Sequence, residues 1–488
     1  MSTSSQDVRR GMTLIEMLIA TAVSLILMAA VAQVFAAFSG AMSNGRSILE
    51  TDSRLRNVAR RLRDDLNGAT TQMLPPRTPD QGEGYFEIIE GPLNDYQDAS
   101  NSGAALLSGT TDVCPTDIDD VLLFTTRDTE SPFVGRLLSN TIESSTAEIA
   151  WFARPTPGTS NPVTYTLYRK QLLVMGYVAA PPFSNKYADG YDNDGDGLID
   201  EVNERPDQDG IDNDGDGNLD EGDGSEFNLV YSNSARMNQY SNWLNYYVAP
   251  CDISVRRERG NGTGAGAFDV LVPNTLGDLT RRENRFLHNS SGDTTGGSFP
   301  YPFVSHLSTA APDGLVFDGT TRAGEDIILT NVLAFDVRVF DPAAPIGLSG
   351  STAIIPGDPG FSSGASGHGA YVDLGHSATT NALPSTNPLF SSSRSVDVTN
   401  GTPLPRTYCT WSTHYEANGI DEDGIDGTDQ GTDGLDNDSN SLVDESAEQE
   451  TSPPYPCPLR GIEVRIRVYE PKSRQARQVT VRHTFVPH

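Results

Sequence analysis

Lysine is almost missing from this chain: three Lys (Lys170, Lys186 and Lys472) stand among its 34 basic residues, against 66 acidic ones, for a formal net charge of −32 over 488 residues. That deficit excludes the clustered cationic surface that phosphate neutralisation requires, so no nucleic-acid partner is expected. Apolar residues are also scarce, at 36% with 46 Gly and 31 Pro, which is low for a compact enzyme yet too high for full disorder. Only four cysteines occur, Cys114, Cys251, Cys409 and Cys457, widely spaced and in no CxxC pair. That argues against zinc and suits one or two disulfides in an oxidising compartment. HExxH and Walker A motifs are absent, and none of the seven His is spaced for a metal-binding helix. His368 and His376 lie in a Gly/Ser-rich stretch and read as solvent-exposed. Asp119-Asp120 is a commonplace pair at a strand start, without acid–base signal by itself. The chain is therefore expected not to be an enzyme.

The charge that is present is concentrated. Residues 187–226 hold 16 acids and one Arg, and residues 416–450 hold 13 acids and no base, leaving a net charge of only −4 on the rest. This is a near-balanced protein with two acidic inserts.

At the N-terminus, MSTSSQDVRRG is polar and carries Arg9 and Arg10, and residues 12–38 (MTLIEMLIATAVSLILMAAVAQVFAAF) are apolar apart from Glu16 and a few small polar residues. A helix of that length, about 40 Å at roughly 1.5 Å per residue, exceeds what a hydrocarbon core needs. The bases precede it, placing residues 1–11 in the cytoplasm and the remainder outside. A secretory signal peptide has a shorter apolar core, and a plain anchor would not need an acid at membrane depth. RGMTLIE resembles the type IV prepilin processing motif. The resemblance implies cleavage by a prepilin peptidase between Gly11 and Met12, methylation of Met12, and a role for Glu16 in neutralising the terminal amine of a neighbouring subunit during assembly. In SILETDSRLRNVARRLRDDLNGA, Ile48, Leu55, Val58, Leu62 and Leu66 fall on one helical stripe, while Arg54, Arg56, Arg60, Arg61 and Arg63 take other faces among Asp52, Asp64 and Asp65. That charged run reads as a solvated face, and Asn67-Gly68 then Pro75-Pro76 end the helix. One continuous helix, half in the membrane and half on a globular sheet, is the layout of pilin-like proteins.

Beyond residue 76 the pattern is strand-like: Val121–Thr126, Glu148–Ala153, a pair within 164–175, the alternating run 331–342, and 461–485, in which Ile462, Val464, Ile466 and Val468 alternate with Glu463, Arg465 and Arg467 and PKSRQAR makes a hairpin turn. Charge on one face predicts an antiparallel sheet covered on one side, by the N-terminal helix. The C-terminal runs resemble a J-type minor pseudopilin of type II secretion or a W-type minor pilin.

The acidic inserts contain a repeat. DGYDNDGDGLIDE (189–201) recurs twenty residues later as DGIDNDGDGNLDE (209–221), and DGLDNDSNSLVDE (433–445) keeps the frame with loss of detail. Each resembles the calcium loops of dockerin and thrombospondin type 3 repeats and the first half of an EF-hand loop. Calcium takes six to eight oxygens at about 2.3–2.6 Å, so alternate carboxylates must converge around a sharp glycine turn. The expected ligands are Asp192, Asp194, Asp196, Leu198 (by its carbonyl) and Asp200 in the first copy. In the second they are Asp212, Asp214, Asp216, Asn218, Asp220 and Asp223. The first has Asn203 at the last ligand position, and the third (Asp436, Asp438, Asn440, Asp444) lacks an Asp and the Gly and is expected to be weaker. Ile199, Leu219 and Val443 supply an apolar anchor in each copy. True EF-hands are disfavoured because Pro206 and Gly210 leave no flanking helix. Cys409 and Cys457 bracket the third copy and are expected to pair, leaving Cys114 with Cys251.

The expected organisation is α+β: a leader (1–11), a transmembrane half-helix (12–38), an amphipathic half-helix (39–74), a β-rich domain (75–186 and 227–342) interrupted by a tandem calcium-loop insert (187–226), a Gly/Ser/Pro-rich loop (343–415), a third calcium-loop insert (416–450) and a C-terminal hairpin (451–488). The expected function is that of a minor pilin- or pseudopilin-like subunit. It would pass the bacterial inner membrane once with its C-terminal part in the periplasm, and join other pilin-like subunits in a secretion pseudopilus or type IV pilus. The rival is a calcium-dependent adhesin or module for secreted cargo or a surface ligand, carried on a pilin-like stem.

Overall fold

The computed structural model describes residues 13–90, 117–137, 140–158, 163–175, 251–259, 269–287, 324–356, 366–376, 406–415 and 457–486, with short pieces between them, among which are 230–231 and 428–437. Its first element is a single 54-residue helix, α1 (Leu14–Asn67), about 80 Å long at 1.5 Å per residue. The strands follow as β1 (Phe86–Glu90), β2 (Val121–Arg127), β3 (Phe133–Leu137), β4 (Asn140–Ser144), β5 (Thr146–Pro155), β6 (Tyr165–Leu173), β7 (Val230–Tyr231), β8 (Val255–Arg259), β9 (Asp269–Pro273), β10 (Ile327–Ser349), β11 (Thr352–Ile354), β12 (Gly367–Val372), β13 (Arg406–Cys409), β14 (Gly461–Glu470) and β15 (Gln475–Thr484).

One large curled antiparallel sheet runs β13-β1-β2-β5-β6-β10-β14-β15, with β11 and β12 both paired to β10. β3 and β4 form a hairpin, and β7-β9-β8 a small separate sheet. The fold is therefore α+β, as the sequence pattern predicts. The alternation over 461–485 becomes the β14–β15 hairpin, with Val464 opposite Val481 and Ile466 opposite Val479. The run at 164–175 holds the single strand β6 (Tyr165–Leu173) rather than a pair.

Two departures from the sequence reading have physical causes. The run expected at 331–342 is the middle of a 23-residue strand. β10 turns past its own prolines through register shifts, one between Asp341 and Pro345 in its pairing with β12, because a proline without an N–H is tolerated at such irregularities. The segment 343–415, expected as a loop, supplies the end of β10 together with β11, β12 and β13. Its strands are short and carry Gly and Ser, so no period-2 run announces them.

The sheet is also covered on both sides. On one face the stripe Leu55, Val58, Leu62 and Leu66 packs with Phe124, Trp151, Val337, Ile462, Val464 and Ile466. On the other, Val121, Leu123 and Phe152 pack with Phe286, Leu287 and Trp411. Both faces of β5 are thus buried along nearly its whole length, and a strand buried on both faces need not alternate.

α1 ends at Asn67, as expected, but Gly68 is not in the left-handed conformation, with φ −88°. A Cβ there would collide with the Arg127 carbonyl and the Thr126 hydroxyl, so glycine is required by close approach of the helix end to β2. The helix docks through charge as well as oil. Asp65, read from the sequence as part of a solvated face, is buried at 2% exposure. Its carboxylate accepts from Arg169 Nε at 2.7 Å and Nη2 at 2.8 Å, and from Trp151 Nε1 at 3.1 Å. Its carbonyl accepts from the Thr126 hydroxyl at 2.7 Å.

Candidate functional site: the exposed half of the long helix

The two halves of α1 live in different surroundings. The first buried residue of the helix is Ser47. Before it, Leu14, Ile15, Leu18, Ile19, Leu25, Ile26, Met28, Val34, Phe35 and Phe38 are all exposed at 58% or more. These positions go all the way round the helix, so no single docking stripe would remove them from water. Such a helix belongs in lipid or among like helices. From Leu14 to Phe38 it spans about 37 Å, enough for a hydrocarbon core of about 30 Å, and it is the candidate membrane span among the described residues.

Its small polar residues are satisfied within the helix. The Thr21 hydroxyl donates to the Met17 and Leu18 carbonyls, both at 3.0 Å, and the Ser24 hydroxyl to the Ala20 carbonyl at 2.7 Å. In lipid, where no water is available, that closure is what a polar side chain needs.

Glu16 is the one acid in this half, and the structure places it at the helix start. Thr13 is the N-cap: its Oγ1 accepts from Glu16 N at 3.3 Å, while the Glu16 carboxylate accepts from Thr13 N at 2.9 Å and Thr13 Oγ1 at 3.0 Å. This is a reciprocal capping box at the positive end of the helix dipole. It brings the Glu16 carboxylate to the backbone N–H of Thr13, at the first described residue. Gly11 and Met12 themselves lie outside the described residues. Residues 7–32 match the family model of the prokaryotic N-terminal methylation motif. Comparison with curated proteins and with solved structures yields no match. The match takes in residues 7–11 of the polar stretch and most of the exposed apolar half, and ends before the docked half begins. It is the prepilin-type signature, and it implies processing by a prepilin peptidase and assembly with pilin subunits. The apolar helix next to it fits membrane anchoring of such a precursor.

The remaining residues singled out from the sequence fall in several places. All ligands expected in the first two calcium loops, Asp192 to Asp200 and Asp212 to Asp223, lie outside the described residues, as do Asp438 and Asn440 of the third. Two members of the third copy are described. Asp444 adopts φ +54° and its Oδ1 accepts from Gly434 N at 2.9 Å, while Asp436 is half-buried. The neighbouring Asp433 accepts from Leu435 N at 2.8 Å and Asn437 Nδ2 at 3.0 Å.

Cys409 and Cys457 line one cavity of about 350 Å³ with Met73, Tyr408 and Trp411. Both are thiols here, and Cys409 Sγ lies 3.2 Å from Arg285 Nη1. Burial pushes the Cys457 thiol up to about 11. Cys251 is a buried thiol, and Cys114 lies outside the described residues.

Of the two histidines, His368 is exposed as expected. His376 is not: it is buried at 6%, with Nε2 3.3 Å from Asp341 Oδ2. The Gly/Ser-rich neighbourhood concealed its burial between β12 and β10.

Proposed function

We propose that this chain is a minor pilin- or pseudopilin-like subunit, cut between Gly11 and Met12, methylated on Met12 and assembled through the exposed half of α1. The β-domain would then face the periplasm. The observation that carries the reading is the division of α1 itself: a methylation motif, an acid held at the helix start and a helix apolar on all sides, followed without a break by a half locked into a sheet. That arrangement supports a subunit whose mechanism is assembly rather than catalysis, with Glu16 setting register against a neighbour's amine. Mass spectrometry of the chain isolated from membranes that contain a prepilin peptidase is expected to show Met12 as the first residue, carrying a single methyl group. A mature chain starting anywhere else would refute it.

The acidic inserts complete the proposal. Their period, glycines and apolar anchors support structural calcium at Asp192–Asp200 and Asp212–Asp223, ordering the insert by cancelling the repulsion among its carboxylates. In the full chain, Asp194→Asn with Asp214→Asn is expected to reduce bound calcium by about two ions per chain. An unchanged metal content would remove the loops from consideration.

A further inference from the structure

The interior holds a concentration of acid that the assembly function does not use. Asp117, Asp119 and Asp120 enter β2, Glu90 ends β1, Asp336 lies in β10, and Asp373 follows β12. All six are at least 93% buried. They converge where the curled sheet is bridged from side to side: Phe335 N donates to the Asp117 carbonyl at 2.8 Å, Val337 N to Asp120 Oδ2 at 2.6 Å, and Leu374 N to Glu90 Oε2 at 3.2 Å. Arg338 and Arg465 are cations beside two of them, Asp336 and Asp373. Arg338 Nε lies 3.1 Å from Asp336 and 3.2 Å from Asp373. Arg465 Nη1 lies 3.9 Å from Asp336, and its Nε pairs with Glu463 at 2.7 Å.

The second observation concerns Asp117, which is completely buried. Neither of its carboxylate oxygens has a hydrogen-bond partner, and Glu90 Oε1 is in the same condition. A buried carboxylate without a partner is expensive, and here two such groups point into a nest of further oxygens. One oxygen each from Glu90, Asp117 and Asp120 lie within 4.8 Å of one another, and so do one each from Asp117, Asp336 and Asp373.

We propose that Glu90, Asp117, Asp120, Asp336 and Asp373 form a buried calcium site, with Asp117 at its centre, that ties β1, the entry to β2, β10 and the end of β12 together. Ligand oxygens around one calcium ion, each at about 2.3–2.6 Å from it, stand no more than roughly 5 Å apart, which is the spacing of both groups. The donors are all hard oxygens, with no imidazole or thiolate among the five, which selects calcium or magnesium over transition metals. Calcium is favoured because carboxylates from four separate segments give many ligands in irregular geometry, whereas magnesium demands a near-octahedral shell and keeps its waters. Burial and then mutual repulsion push the Glu90, Asp117 and Asp336 carboxyls well above the usual carboxylate range. An ion would reverse that direction and hold them ionised. This inference does not depend on the surface repeats or on the assembly reading.

The test uses the full chain in detergent, carrying Asp194→Asn, Asp214→Asn and Asp438→Asn so that the surface loops no longer compete. After stripping with chelator and dialysis against calcium, this parent is expected to hold about one tightly bound calcium per chain and to melt at higher temperature than the stripped form. Adding Asp117→Asn and Asp336→Asn should remove that ion and the calcium-induced shift, while raising the melting temperature of the stripped protein by relieving repulsion. A parent that holds no calcium overturns the proposal without reference to any cluster variant. So does a cluster variant that keeps both the ion and the shift, a stripped parent as stable as the loaded one (a cluster neutralised by protons alone), or a shift produced by magnesium and not by calcium.

Discussion

Replacing Asp65 by Ala should lower the stability of the folded domain by about 3–5 kcal/mol, the usual loss when one partner of a buried ion pair is removed. For a domain of this size that is a fall in melting temperature on the order of 10 °C. The reason is what stays behind. Arg169 is 7% exposed and donates two bonds to Asp65, and Trp151, with no exposed surface, donates its indole N–H to the same carboxylate. Arg61 Nε, 3.6 Å from Asp65 Oδ1, does not replace that acceptor because it is itself a cation. Loss of the carboxylate therefore strands a guanidinium and an N–H between α1 and the β5–β6 surface. The damage should be local. Amide exchange of α1 residues 51–66 is expected to rise more than that of β14–β15, because the hairpin keeps its own register. An apolar pair, Asp65→Leu with Arg169→Met, should recover most of the loss, since burying two charges is itself costly. A melting temperature within a degree of wild type for Asp65→Ala alone would show that the pair does not hold the helix.

That same residue shows where the sequence could be read and where it could not. The apolar stripe of α1, the alternation in β14 and β15, the helix end at Asn67 and the methylation motif are all local patterns, set by residues within one or two turns or pleats of each other. Asp65 stands in an Arg-rich stretch that looks like a solvated helix face. Only Trp151 and Arg169, brought alongside by β5 and β6, make it an interior residue. Asp119-Asp120 is unremarkable as a neighbouring pair, and Asp120 gains a context only beside Asp117 and Glu90, the latter arriving on another strand. β12 and β13 leave no period-2 run in the sequence because they are only six and four residues long and Gly367 and Gly369 bring no side chain to mark a face. Long-range convergence is thus what the sequence withheld, in the fold and in the buried acid cluster alike.

Glu16→Val is expected to leave the chain inserted in the membrane and cut at Gly11, but to reduce its incorporation into filaments to below about a tenth of the wild-type level. The apolar span only becomes longer and more hydrophobic, so insertion has no reason to fail. What disappears is the carboxylate that would meet a neighbour's N-terminal amine, leaving that amine charged and unmatched at membrane depth. The structure supplies a rival explanation, because Glu16 also belongs to the capping box with Thr13, and losing a cap would fray the first turn. Thr13→Ala separates the two. It removes the hydroxyl that accepts from Glu16 N and donates to its carboxylate, a change typical of caps at about 1 kcal/mol in other helices, yet keeps the acid. If Glu16 acts through a neighbour, Thr13→Ala should assemble at close to the normal level while Glu16→Val does not. Glu16→Asp, with a shorter reach to the same amine, should fall between them. Equal defects in Thr13→Ala and Glu16→Val would reduce the role of the acid to capping, and normal recovery of Glu16→Val in filaments sheared from cells would remove Glu16 from assembly altogether.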